Sequence, residues 1–230
     1  MAVPVFAAAV REAIDGNGPL RDALYSLVLF GSYVRGDYVP GLSDIDFLAV
    51  IRRPADEAMR ELRAILEEAT RGLRPKLVDL PWAFVDDLRD PLSSGHPFKF
   101  LTFYQRDFLD HHVVVYGEEV AHLLPRLEAG QLAAWRARAM LGNLERFRGD
   151  PEMMRVQAGE VARFLAVVSG ARGIAKQEVL EALRELGDED ALAVYGDYAE
   201  GRDAARGEEF YRGFIASRLG AFLGRRQSAS

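Results

Sequence analysis

Residues 27–50, LVLFGSYVRGDYVPGLSDIDFLAV, constrain this chain more than any other stretch. SLVLFGS (26–32) is a short apolar run ending in small residues, the pattern of a buried strand. IDFLAVIRR (45–53) is a second strand, and Asp44-Ile45-Asp46 opens it. Strand side chains alternate faces, so Asp44 and Asp46 project from one face while Ile45, Phe47 and Ala49 turn toward packing. Two carboxylates side by side repel unless a cation sits between them. Mg²⁺ takes oxygen ligands, usually one or two carboxylates plus substrate phosphates. An Asp-x-Asp pair at a strand start can supply the protein half of a metal–phosphate site.

Gly31-Ser32 closes the preceding strand, eleven residues before Asp44. Glycine lets a ligand approach the backbone closely. The Ser32 hydroxyl and neighbouring N–H groups can then donate to phosphate oxygens, and Arg35 is an additional phosphate contact. Taken singly, Gly-Ser is a common turn and Asp-x-Asp a common solvated strand end. Their order and spacing carry the reading.

G-S-x-x-R-G followed by S-D-I-D-F resembles the signature of the DNA polymerase beta-like nucleotidyltransferase superfamily. Within it, the stretch is similar to the minimal and the kanamycin- and streptomycin-type nucleotidyltransferases. The resemblance implies that Gly31, Ser32, Arg35 and Ser43 bind the nucleotide and that Asp44 and Asp46 hold two Mg²⁺ ions. It also implies a third carboxylate on a later strand. Asp79, in KLVDLPW (76–82), is the candidate; Asp86, Asp87 and Asp90 read as the start of a surface helix. The implied reaction is attack of an acceptor hydroxyl on the α-phosphate of an NTP, ATP by expectation, with pyrophosphate leaving. Two alternatives stand beside it: an antitoxin-type enzyme modifying a HEPN-type partner, and a catalytically silent nucleotide binder.

The rest of the chain reads as α+β, then all-α. Residues 4–15 predict a helix closed by the turn signal Gly16-Asn17-Gly18-Pro19. Ala55 to Leu73 is amphipathic, 76–82 a third strand, Phe98 to Leu109 helical and 111–117 a fourth strand. From about Pro125 only helical patterns appear: 131–148, 151–172, 177–186, 190–200 and 208–223. The expected division is a mixed-sheet nucleotidyltransferase domain with flanking helices over 1–122 and a helical bundle over 123–230, serving as acceptor wall or dimer surface. Trp82, Trp135, Phe147 and Phe164 read as core. His96 and Lys99 are further cleft candidates, and His111-His112, facing opposite ways in a strand, cannot readily share a metal.

Composition narrows the class. The net charge of −6 arises wholly before Leu123, with 13 basic against 19 acidic residues there and 16 of each afterwards. That balance gives no support for nucleic acid as a partner. Cysteine is absent, which excludes disulfides and thiolate chemistry. No apolar run reaches a membrane span and no signal peptide is apparent, so the expected location is cytoplasmic.

Overall fold

The structure, a computed structural model, describes residues 4–94, 97–201 and 206–227. It divides into two compact units, Met1–Arg126 and Leu127–Ser230. The first opens with α1 (Ala7–Asp15) and α2 (Gly18–Ala23). The Gly16–Pro19 turn signal in fact starts a helix: the Asn17 side chain accepts from the Leu20 N–H and Pro19 occupies the first turn. Proline fits there because a first-turn N–H has no helical partner to lose.

The sheet is mixed. β1 (Leu24–Phe30) lies between β2 (Ile45–Ile51) and β5 (Val113–Gly117), antiparallel to both. The predicted third strand is broken at Leu80-Pro81 into β3 (Val78–Asp79) and β4 (Trp82–Phe84), and both pieces run parallel to β2. Proline has no N–H to give a ladder, so a strand crossing it is interrupted at an edge.

Both faces of the sheet are covered. Leu27, Leu29, Ile45, Phe47 and Ala49 pack against α1, α2 and α4 (Asp56–Thr70). Val28, Phe30, Leu48 and Val50 pack on the opposite face with Ala83, Leu88, Leu101 and Phe108. That explains why β1 and β2 read as continuous apolar runs.

The predicted helix over Phe98 to Leu109 shrinks to α6 (Gln105–Asp110). The residues before it form turns, with Tyr104 N–H bonded to the Lys99 carbonyl. Phe98 and Phe100 stack at 5.3 Å, and Phe100 also meets Phe30 at 4.3 Å. Aromatic packing onto the sheet overrides the helical pattern. Trp82 corrects a second expectation: it is 41% exposed, whereas Phe164 is fully buried.

In the second unit, α8 (Pro151–Val168) packs against α7 (Ala129–Arg146), α9 (Lys176–Leu186), α10 (Glu189–Ala199) and α11 (Gly207–Gln227). The Asp150 carboxylate caps α8 by accepting from the Met153 N–H at 3.0 Å. Glu160, nearly buried, is met by Arg163 at 2.6 Å. No helix among the described residues is long and apolar enough to cross a membrane.

Candidate active site

Asp46 stands opposite Phe30 on β1 and opposite Asp79 on β3. Adjacent strands lie about 4.8 Å apart, so the register makes Asp46 and Asp79 neighbours. Val78 and Leu80 belong to the cluster beneath α1 and α4, which turns Asp79 to the other face. Asp44, two residues before Asp46, shares that face by alternation. The fold thus gathers all three carboxylates expected from the sequence on one side of one sheet.

Their electrostatics show the crowding. Burial, together with Asp79 and Asp44, pushes the Asp46 carboxyl up to about 7, against the opposing pull of Lys99 and Arg35. Burial also raises Asp44, opposed by Lys76 and reinforced by Asp79. Asp79 is raised by burial of its carboxyl and lowered by Arg63, Lys99 and the Leu80 N–H. One Asp44 carboxylate oxygen, Oδ1, is buried with no hydrogen-bond partner among the described residues. A buried carboxylate oxygen without a donor is costly unless a ligand arrives.

Gly31 is a requirement of this site. Its φ of +76° disfavours any side chain, and a Cβ there would meet the Asp46 carboxylate. Ser32 then begins the short α3 (Ser32–Arg35), partly exposed, with no hydroxyl partner among the described residues. By helix geometry the first N–H groups of that turn have no partner within it.

Arg35, expected as a phosphate contact, is engaged by carboxylates of its own chain. Its guanidinium meets Asp107 at 2.8 Å and Asp37 at 3.3 Å, with the Arg35 and Asp107 side chains each 10% exposed. It ties the loop after β1 to α6. Ser43 is buried, and its hydroxyl accepts from the Val39 N–H at 3.0 Å, bracing the loop ahead of Asp44.

Lys99 lies near enough to Asp46 and Asp79 to act on both. His96 lies outside the described residues. His111 and His112 have separate partners, Asp107 at 3.2 Å and Glu119 at 2.9 Å. Sequence reasoning missed Arg63 and Lys76. Arg63 hangs from α4, bonds the Val78 carbonyl at 2.8 Å and faces Asp79; only its helical phase against the sheet could have revealed it.

Among the described residues, no three His, Asp or Glu side chains form a ready-made metal cluster. The donor set nonetheless fits Mg²⁺ bound together with a triphosphate: paired carboxylates, one with a buried unpartnered oxygen, whose mutual repulsion a cation would relieve.

Residues 10–115 match the family model for a nucleotidyltransferase domain. No curated protein sequence matches the chain. Among solved structures, the chain resembles spectinomycin adenyltransferase from Enterococcus faecialis, solved with ATP and spectinomycin. That likeness has a TM-score of 0.60 at 16% identity and spans 93% of this chain and 98% of the other.

Proposed function

We propose that this chain, whose residues 10–115 form a nucleotidyltransferase domain of the DNA polymerase beta-like type, moves a nucleoside monophosphate from an NTP to a hydroxyl of a small molecule. The observation that carries the reading is the register of Asp46 against Asp79, with Asp44 on the same face. ATP is the favoured donor, because the similar structure is an adenyltransferase solved with ATP. That likeness spans both units of the chain, which favours a small acceptor over a separately encoded helical partner.

In this reading Gly31 leaves room for the triphosphate and Ser32 donates to it. Asp44, Asp46 and Asp79 would hold Mg²⁺. The ions, when bound, neutralise phosphate charge and activate the acceptor hydroxyl. Asp79, the most exposed of the three and flanked by Arg63 and Lys99, would take the acceptor proton in this reading. Arg35 holds the loop through Asp107 and adds positive charge near Asp46.

The test is pyrophosphate release from each of the four NTPs with Mg²⁺ and a panel of hydroxyl-bearing acceptors, in the wild type and in Asp46→Asn. Release that needs both an acceptor and Asp46 supports transfer. Tight ATP binding with no release for any acceptor favours the silent binder.

A further inference from the structure

A cavity of about 470 Å³ lies in the first unit at the outer edge of the sheet, where β4 pairs only with β2 among the described strands. Pro81, Trp82, Ala83 and Phe84 line it from the strand, and Phe98 and Leu101 from the turn before α6. Among the described residues, the Asp87 and Ser94 side chains that line it are already engaged. Asp87 accepts from the Phe84 N–H at 2.9 Å, and the Ser94 hydroxyl donates to the Pro91 carbonyl at 3.2 Å. What remains for a ligand is chiefly apolar and aromatic surface.

None of the three carboxylates lines the cavity, but two chain segments lead from it toward them. By alternation Pro81 and Ala83 share the face of Asp79, and Ala83 and Leu101 join the cluster that holds Phe30 and Leu48. At about 3.3 Å per residue, Pro81 stands roughly 6.6 Å along the strand from Asp79. From the other side, Phe98 is followed directly by Lys99, which faces both Asp46 and Asp79. Trp82 leaves 41% of its surface open beside Phe84, their rings edge to face at 5.4 Å. An indole exposed at the mouth of an apolar cavity gains by being covered.

We infer that this cavity seats an aromatic or otherwise apolar part of the acceptor, so that its hydroxyl lies beside Asp79. The inference rests on the transfer reading above. In the step it serves, the acceptor oxygen bonds to the α-phosphorus and the bond from that phosphorus to the bridging oxygen breaks. The hydroxyl proton goes to Asp79, and the electron pair leaves with pyrophosphate. A ring on a short saturated arm suits a pocket of this size and lining. The substrate class assigned is therefore aryl- or alkyl-bearing alcohols, as opposed to purely polyhydroxylated acceptors.

The chain has two tryptophans, so Trp135→Phe leaves Trp82 as the only reporter. The full-length variant is titrated with 3-phenylpropan-1-ol, with inositol as the polar control. Turnover is then followed as pyrophosphate release with ATP and Mg²⁺, comparing 3-phenylpropan-1-ol with propan-1-ol. A saturable change in Trp82 emission with the phenyl compound alone is expected, together with a KM at least ten-fold below that of propan-1-ol. Ser94→Phe, which intrudes on the cavity, and Trp82→Ala, each checked for folding by its thermal melt, should erase that ten-fold ratio. A ratio kept in both variants, or no saturable response, overturns the assignment. Release with propan-1-ol and no preference for the phenyl compound also overturns it, while leaving the transfer reading standing. Saturable binding that Ser94→Phe abolishes, with no release from any NTP, sinks the transfer reading and supports the cavity as a binding site.

Discussion

Gly31 and Asp46 occupy the same space to within one methyl group: a Cβ on residue 31 would stand 2.8 Å from the Asp46 Cγ. The loop that would receive phosphate and the carboxylate that would hold metal are thus a single packing unit. Gly31→Ala therefore does two things. It strains a backbone at φ +76°, ψ −155°, a conformation essentially confined to glycine, at a cost on the order of 1–3 kcal/mol, and it displaces Asp46. Calorimetry in Mg²⁺ buffer should show ATP affinity reduced at least ten-fold. Normal affinity would mean that the loop is only a turn.

Asp46 also sets a pH dependence. Its carboxyl ionises near 7 in the folded chain and in the ordinary carboxylate range when unfolded. Between about pH 4 and pH 7 the folded state retains a proton that the unfolded state has lost, so stability from this group falls as pH rises. Asp46→Asn removes that loss. At pH 7.5 without metal it should be the more stable protein, by on the order of 2 kcal/mol after allowance for partial exposure. Thermal melts from pH 4 to 8 read this directly. Mg²⁺ with ATP should narrow the gap by stabilising the wild type alone.

Asp79 separates a catalyst from a binder. Asp79→Asn should leave ATP affinity within a few-fold and cut single-turnover transfer by the ~10²–10⁴ typical of a lost acid–base group. Undiminished transfer would move the role to another carboxylate.

Asp107 carries a structural prediction. It meets the Arg35 guanidinium, and both side chains are nearly buried. Removing one partner of a buried pair typically costs up to ~3–5 kcal/mol, and Asp37, 3.3 Å from the guanidinium, holds the loss here to the low end of that range. Asp107→Ala should lose stability on that scale by urea unfolding, with Arg35→Met/Asp107→Leu recovering part of it. If Asp107→Ala unfolds like the wild type, the pair does not tie the loop to α6.

The local chemistry of this protein was legible in one dimension. Gly31-Ser32, the eleven-residue spacer and the Asp44/Asp46 pair are determined by strand alternation and by glycine's freedom, which need no knowledge of the fold. The change from mixed sheet to helices is likewise written in the hydrophobic period. What only the tertiary structure decided depends on which strands become neighbours. The parallel register of β3 on β2 brings Asp79 beside Asp46, 33 positions away in a sequence where no local pattern links them. Arg35 reads as a free cation until α6 supplies Asp107, 72 residues away. The stretch before α6 has a helical pattern, yet Phe98 and Phe100 are drawn onto Phe30 because burying aromatic surface outweighs a turn of helix. Trp82, apolar by type, stays exposed because the strand carrying it is broken at Pro81 on the sheet's edge, where its side chain has a cavity beside it rather than another layer.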